Sequence, residues 1–301
     1  MTDAQSVPTE QASPTPPTAR KTVLLAAFEG WNDAGGAATG ALTHLAEVWG
    51  AEKVSELDPD EYHDFQVNRP TVGFDDDGKQ FITWPTTTVR VARLPHRTVV
   101  LVHGIEPSMR WRKYCREVLD IAGELGVESF VTLGALLADV PHTRPIPMTA
   151  TSDSVGVQAV LDIEPNTYTG PTGIVGVMQH EAAERGLQSI SLWAAVPHYV
   201  ANPPSPKATL AILTRIEELL GESIEMRELP DDAAAWQAGV DELASEDTEI
   251  SEYVAQLEEA KDTAELPEAS GDAIAREFER YLRRRDIGGK DGKEPGGPGP
   301  L

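Results

Sequence analysis

Residues 22–36 read TVLLAAFEGWNDAGG, and this stretch decides the fold class. Its first seven residues are apolar and partly β-branched, which is typical of a strand buried on both faces of a sheet. Beyond the glycines, Leu42, Leu45 and Val48 recur at helical spacing, and Gly50 ends the pattern. The stretch is therefore predicted to be the strand and the loop of a strand–loop–helix unit.

Six residues that can bind a ligand or shape a turn follow this strand: Glu29, Gly30, Trp31, Asn32, Asp33 and Gly35. Asn32 or Asp33 can accept the first free N–H groups of the helix, and Gly35 has no Cβ, so the helix can lie close to the strand. The glycines do not fit a phosphate-binding motif, and the carboxylates would repel a phosphate. A cation, an amine or a hydroxyl-rich ligand suits the loop better, and a turn that serves only the fold is an equal alternative.

The same alternation of strand and helix continues along the chain. Strands are predicted at residues 98–103, 129–133 and 189–196, and helices at residues 108–125, 174–185 and 208–220. Ser108 is the expected N-cap of the first of these helices, and Gly126 its expected stop. Because such alternation implies parallel strands joined by helical crossovers, the fold class is α/β, with helices on both faces of a mostly parallel sheet.

Two short strands, at residues 81–84 and 87–91, are separated by Pro85 and are expected to form a hairpin or an extension of the sheet edge. Residues 1–20 and 287–301 have the composition of disordered tails. Residues 21–229 are expected to form the α/β domain, and residues 230–286 an extension of two or three acidic helices. The third of these is placed by Ile274, Phe278, Tyr281 and Leu282.

Composition narrows the class of protein. The chain has 301 residues and a formal net charge of −24, which argues against a nucleic-acid binder and against an anionic membrane surface. Cys115 is the only cysteine, so no intramolecular disulfide is possible. With no signal peptide and no apolar stretch long enough to span a bilayer, the expected location is the cytoplasm.

Polar or special residues follow every predicted strand, and in a parallel sheet these exits share one edge, where ligands bind. The candidate residues beyond the first loop are Gly104, Glu106, Gly134, His142, Arg144, His198 and Tyr199. Val-Pro-His occurs twice, but without a tight spacing of ligands neither a metal site nor a cofactor is predicted. Cys115 falls within an amphipathic helix, where a packed and inert thiol is expected.

Several motifs taken together resemble the PAC2 family, named for the eukaryotic proteasome assembly chaperone 2, and most closely its actinobacterial members. They are FEGWNDAG at residues 28–35, GIEP at 104–107, LGA at 133–135, VPHTRP at 140–145, GPTG at 170–173 and WAAVPHY at 193–199. The resemblance implies a three-layer α/β/α sandwich similar to the phosphorylase/hydrolase-like fold. It also implies assembly as a homo-oligomer, often a trimer.

Eukaryotic members of the family are chaperones of proteasome assembly and have no established catalysis. The resemblance therefore favours a non-catalytic assembly factor or scaffold with proteasome subunits as partners. Such chaperones commonly end in a hydrophobic-Tyr-any tail, whereas this sequence ends in Gly299, Pro300 and Leu301. The alternative is an enzyme or a small-ligand-binding protein. In that case Glu29 and Asp33 would bind a hydroxyl or an amine, with His142, Arg144 or His198 nearby.

Overall fold

In a computed structural model that describes residues 21–163 and 165–265, the first strand, β1, lies at the centre of a seven-stranded sheet. In their order across the sheet the strands are β2 (Glu52–Glu56), β5 (Thr87–Arg93), β6 (Arg97–Ile105), β1 (Lys21–Glu29), β7 (Ser129–Ala138), β9 (Gln188–Pro197) and β8 (Met148–Thr151). The predicted tails and the predicted third C-terminal helix lie outside the described residues.

The centre of the sheet is parallel and its borders are antiparallel. Strands β6, β1, β7 and β9 run in one direction, as the alternation of strand and helix predicts. Strand β5 is antiparallel to both β6 and β2, and β8 is antiparallel to β9. Only three residues, 94–96, join β5 to β6, and a connection this short permits an antiparallel pair but no parallel crossover.

The two short predicted strands have different partners. Residues 87–93 form β5 and extend the main sheet, whereas β4 (Gln80–Thr83) pairs with β3 (Thr71–Phe74) in a separate hairpin. The partner of β4 is therefore the polar stretch before it rather than the strand after it. Pro85 cannot donate a ladder hydrogen bond, and it lies between the two units.

Helices cover both faces of the sheet, so the three-layer α/β/α arrangement is confirmed. Helices α1 (Ala37–Val48) and α6 (Pro206–Leu220) lie on one face, and α3 (Trp111–Glu124) and α5 (Ile174–Glu184) lie on the other. In β1, Leu25 packs toward the first pair and Leu24 toward the second. This explains why the strand is apolar at successive positions. Two shorter helices are α2 (Pro59–Tyr62) and α4 (Val155–Leu161).

The start of α3 differs from the prediction. The helix begins at Trp111, and Ser108 does not cap it. Instead the Ser108 hydroxyl accepts hydrogen bonds from the backbone of Asp64 and the side chain of Asn68. Two residues, Met109 and Arg110, therefore lie between the expected cap and the first residue of the helix. Its end is as predicted, since Gly126 adopts a left-handed conformation with φ +69°.

Within residues 229–265 the chain forms two acidic helices, at the positions that the periodicity predicts. Helix α7 (Leu229–Glu246) packs against α6, and α8 (Thr248–Glu265) packs against α7. Val240 of α7 and Val254 of α8 are buried. None of the helices within residues 21–163 and 165–265 is long and apolar enough to cross a membrane.

Candidate functional site

The strand exits of the parallel centre lie along one edge of the sheet. Glu29 at the end of β1 pairs with Ile105 of β6, and Ala138 of β7 pairs with Pro197 of β9. Asp33 forms a further parallel bridge with Ala135. The structure therefore brings the loop at residues 29–33 beside the GIEP and LGA motifs, as the sequence predicts.

The side chain of Asp33 caps the first turn of α1, although Gly36 occupies the N-cap position. Its carboxylate accepts a hydrogen bond of 2.7 Å from the backbone N–H of Ala38 and longer ones of 3.4 Å from that of Thr39. The Thr39 hydroxyl donates to it as well. Burial raises the pKa of Asp33, and the hydrogen bonds from Thr39 and Ala38 lower it less than burial raises it. Most of the hydrogen-bonding capacity of this carboxylate is used within the fold.

The carboxylate of Glu106 caps a second helix, α5. Its Oε1 accepts a hydrogen bond of 2.8 Å from the backbone N–H of Ile174, the first residue of α5, and one of 2.9 Å from the side-chain amide of Asn32. The carbonyl of Asn32 accepts from Ala135 at 2.8 Å. A carboxylate at the positive end of a helix is favourable, and here it also ties together the loops after β1, β6 and β7.

Glu29 lies at the outer end of the same loop. Partial burial raises the pKa of its carboxyl group, and the nearby negative charge of Asp33 raises it further. Trp31 is 68% exposed beside it and presents its indole to solvent. Of the side chains in this loop, those of Trp31 and Glu29 are exposed and therefore available to a ligand or a partner.

The glycines of the predicted site make room for neighbouring groups. A Cβ at Gly104 would lie 2.4 Å from a backbone oxygen of the adjoining strand, and one at Gly134 would lie 2.6 Å from the ring of Trp193. Gly35 has φ +63° and lies against the segment that precedes α6. Gly30 has φ +117°, a conformation that other residues rarely adopt.

His142 lies at a different place and holds α7. Its ring is 1% exposed, with Nε2 2.9 Å from a carboxylate oxygen of Asp241 and Nδ1 2.8 Å from the hydroxyl of Tyr199. The backbone carbonyl of His142 accepts from Lys207 of α6 at 2.5 Å, and Lys207 also donates to Gln237 of α7. His142 is thus a buried link between the proline-rich loop and the C-terminal helices.

Arg144 and His198 extend this link to α8. Arg144 forms a bidentate pair with Asp262, at 2.9 and 2.8 Å, and a further bond of 3.1 Å with Glu258. His198 lies 3.3 Å from Asp139, to which the hydroxyl of Tyr253 donates at 3.2 Å. We refer to His142, Arg144, His198 and Tyr199 as the helix anchor, because these side chains contact α7 or α8.

The predicted residues therefore form two groups with different tasks. No hydrogen bond or ion pair within the described ranges joins the helix anchor to the loop at residues 29–33. The expectation that His142, Arg144 or His198 would assist Glu29 and Asp33 at one site is thus not supported. Across the same ranges, no three His, Cys, Asp or Glu side chains are placed to hold a metal ion. Cys115 is buried, and burial raises the pKa of its thiol to about 12.

The helix anchor gives a testable prediction. Arg144→Ala should release α8, and amide hydrogen exchange across residues 248–263 should become at least about tenfold faster, because two carboxylates lose their planar cationic partner. Exchange in α1 should not change. Arg215→Ala is the matched control, since Arg215 pairs with Glu218 within a single helix. Equal protection of α8 in both variants would contradict the anchoring role.

The same contact predicts a response to acid. The hydrogen bond from Arg144 holds the pKa of Asp262 below its usual range. The ion pair of Asp262 with Arg144 therefore stabilises the docked α8 fully above the ordinary aspartate pKa of about 3.9. This stabilisation is lost as the pH falls through the lowered pKa of Asp262 in the folded protein. Protection of α8 in hydrogen exchange, corrected for the intrinsic rate, should fall in that window in the parent chain and should be low throughout in Arg144→Ala.

Next to the loop at residues 29–33 the structure contains a cavity of about 690 Å³. Its floor is formed by β9 and β8, one wall by α5, and its cover by residues 166–173. The exposed side chains of Trp31, Leu136 and Leu137 and the buried side chain of Asn32 line it as well. Of the predicted candidates, only residues 30–32 reach this cavity.

The sequence reasoning missed most of the cavity lining. Gln179, Trp193 and Tyr168 contribute to it, and each lies on a different element. The GPTG and WAAVPHY motifs border the cavity, so the sequence indicated part of its lining. The sequence of helix α5, in contrast, does not indicate that a polar side chain faces the cavity. Gln179 lines the cavity because of the way α5 packs on the sheet.

Comparisons with known proteins agree with this fold. A family model described as PAC2 family matches residues 27–244. A PAC2 family protein from Streptomyces avermitilis is 54% identical over 78% of this chain and 100% of that chain, with a TM-score of 0.74. No curated protein matches the chain.

Two other solved structures are also similar. One is described as a proteasome-assembly chaperone homologue from Mycobacterium tuberculosis; it is 44% identical over 77% of this chain and 99% of that chain, with a TM-score of 0.70. The other is a protein of unknown function from Corynebacterium glutamicum, which is 26% identical over 85% of this chain and 97% of that chain, with a TM-score of 0.72.

Proposed function

This chain belongs to the PAC2 family, and we propose that it is a non-catalytic assembly factor that acts as a cytoplasmic homo-oligomer and binds other proteins. The observation that supports this best is the apolar surface of the β3–β4 hairpin. Val72 is 59% exposed, Phe74 69% and Ile82 53%. Exposed apolar patches of this kind mark contacts between proteins.

The geometry of the hairpin concentrates these side chains. Val72 pairs directly with Ile82, and Phe74 lies two residues further along, so all three share one face. Phe81 lies across Gly73 on the other face, where a Cβ on the glycine would come within 2.8 Å of the ring. A hairpin of two strands is marginally stable in water by itself, so burial of these faces against another chain would stabilise it.

The proposed partners are further copies of this chain and proteasome subunits. A homo-oligomer, with three subunits expected, follows from the family resemblance. Proteasome subunits follow from the description of the M. tuberculosis relative as a proteasome-assembly chaperone homologue. The side chains of Asp33 and Glu106, at the exits of β1 and β6, are engaged as helix caps. These carboxylates therefore fit a structural role better than acid–base chemistry.

Self-association can be tested on the full chain by native mass spectrometry and light scattering. Replacement of Val72 and Ile82 together by threonine should weaken it at least about tenfold, because threonine keeps the strand propensity and removes apolar contact. The matched control replaces Val155 and Val160, which are also exposed, by threonine and should leave assembly unchanged. A double hairpin variant that assembles like the parent chain would exclude the hairpin as the interface.

The link to the proteasome needs a separate experiment. Separately purified proteasome α- and β-subunits would be mixed with and without the chain, and formation of the core particle would be followed by native mass spectrometry. The expected result is a faster approach to the complete particle, with a transient complex that contains the chain. Unchanged kinetics and no such complex would remove proteasome subunits as the partner.

A further inference from the structure

The cavity beside the loop at residues 29–33 is a separate feature of the molecule, and the inference drawn from it does not depend on the assembly role. Its volume of about 690 Å³ falls within the range of roughly 300–1,000 Å³ that is usual for small-molecule sites. Strands β8 and β9, helix α5 and the segment at residues 166–173 enclose it from different directions. This shape accepts a compact molecule better than an extended peptide.

The lining is electrically neutral. Among the described residues that line the cavity none has a charged side chain, although the whole chain has a net charge of −24. Glu29, Asp33 and Glu106 all lie near the same edge of the sheet without lining the cavity. A charged ligand would lose its hydration here without gaining a counter-charge, and that desolvation is costly. The chemistry of the lining therefore selects an uncharged molecule.

Three aromatic rings border the space: those of Trp31, Tyr168 and Trp193. The indole N–H of Trp193 donates to Ser191 at 2.8 Å, and the hydroxyl of Tyr168 donates to the carbonyl of Pro171 at 2.8 Å. With these polar groups already engaged, both residues offer ring surface to a ligand. Aromatic rings pair favourably with other planar rings, so a planar ligand suits the site.

Gln179 supplies the polar feature. Its side chain lines the cavity and is 3% exposed, and within the described part of the chain its Nε2 finds no hydrogen-bond partner. A buried amide nitrogen without an acceptor destabilises the free protein, because it has lost its hydration without gaining a hydrogen bond in exchange. An acceptor on a ligand would remove this destabilisation. A ligand carbonyl oxygen is an acceptor of the right kind for this donor.

From these observations we propose that the cavity binds an uncharged, planar aromatic molecule that carries a carbonyl group. The rings of Trp31, Tyr168 and Trp193 would contact its faces and edges. The carboxamide of Gln179 would hydrogen-bond its carbonyl oxygen. Gly134 also supports the site, because a Cβ at this position would displace the ring of Trp193 from the cavity wall.

The test uses prodan, an uncharged naphthyl ketone whose emission shifts to the blue in an apolar site, with the full chain. Saturable binding of one dye per subunit is expected. Naphthalene carboxamide should displace the dye, and naphthalene carboxylate, which has the same shape and one negative charge, should be at least about tenfold weaker. Equal competition by the two compounds, or no saturable binding, would overturn the proposal.

Variants place the site. Thr151→Trp fills the cavity from β8 and should weaken dye binding at least about tenfold, while Val54→Trp, on the edge strand at the opposite border of the sheet, should not change it. Gln179→Leu should weaken binding by roughly threefold to tenfold and should raise the melting temperature of the free protein. If Thr151→Trp does not fold, the weaker binding and the higher melting temperature of Gln179→Leu still test the proposal. Binding that Thr151→Trp and Gln179→Leu both leave intact would locate the dye elsewhere and refute the assignment.

Discussion

Replacement of Gly104 by alanine should destabilise the protein by about 3 kcal/mol or more. Gly104 pairs with Thr87 where β6 lies against β5. A Cβ on Gly104 would be 2.4 Å from the backbone oxygen of Thr86 and 2.7 Å from the Cα of Thr87. Both are main-chain atoms, so no side-chain rotation can relieve the collision and β5 must move away from β6.

A movement of β5 would have a second cost. The Thr87 hydroxyl lies 2.7 Å from the hydroxyl of Tyr114, which is fully buried between the sheet and α3. Separation of the strands would leave both hydroxyls without this partner. The free energy of unfolding, measured with urea, is the readout, and a fall in far-UV circular dichroism at 25 °C would be the extreme form of the expected result.

Gly123→Ala is the matched control. Gly123 lies in α3, and apart from its chain neighbours and the backbone of its own helix no atom of the described residues lies within 4 Å of a Cβ built there. Alanine in a helix interior is favoured over glycine by roughly 0.5–1 kcal/mol, so this variant should be slightly more stable than the parent chain. If Gly104→Ala were as stable as Gly123→Ala, the close approach of β5 and β6 would be wrong.

Replacement of Asp33 by alanine should cost about 2–3 kcal/mol, the second-largest effect expected. Alanine leaves the N–H groups of Ala38 and Thr39 without their acceptor at a buried helix start. Asp33→Asn is the discriminating variant, because its amide oxygen can still accept from Ala38 and its nitrogen can donate to the Thr39 hydroxyl. We expect asparagine to cost less than about 1 kcal/mol.

The pair of variants also separates capping from charge. Because burial raises the pKa of Asp33, the folded state favours its protonated form. Its contribution to stability is fully present below the unfolded pKa of about 3.9, and is lost as the pH rises through the raised folded value. The parent chain should therefore lose stability relative to Asp33→Asn across that window in urea titrations. A relative gain with rising pH would contradict the dominance of burial.

The helix caps show where prediction from the sequence ends. The cap by Asp33 could be predicted because donor and acceptor are five residues apart, and the loop and the helix appear in one stretch. The cap of α5 by Glu106 spans 68 residues, and only the packing of two strand exits against each other creates it. A local pattern identifies Glu106 as a residue at a strand end but gives no sign of the helix that it serves.

The helix anchor shows the same limit. Repetition of Val-Pro-His marks two places in the sequence, yet the partner of His142 is Asp241, 99 residues later. Whether a histidine faces an open cleft or a neighbouring helix depends on where α7 lies. The amphipathic pattern of α7 predicts that one face of the helix is buried, but it does not indicate which part of the protein that face contacts.

The sequence by itself determined the four parallel strands of the α/β sandwich, the helices that cover them and the family, since periodicity and motif order are local properties of the chain. Tertiary structure alone decided the antiparallel borders, the isolated hairpin, the two tasks of the predicted residues and the neutral cavity around Gln179. Those features depend on distances between segments remote in the chain. Such distances are set by the burial of whole faces and not by the residues adjacent in sequence.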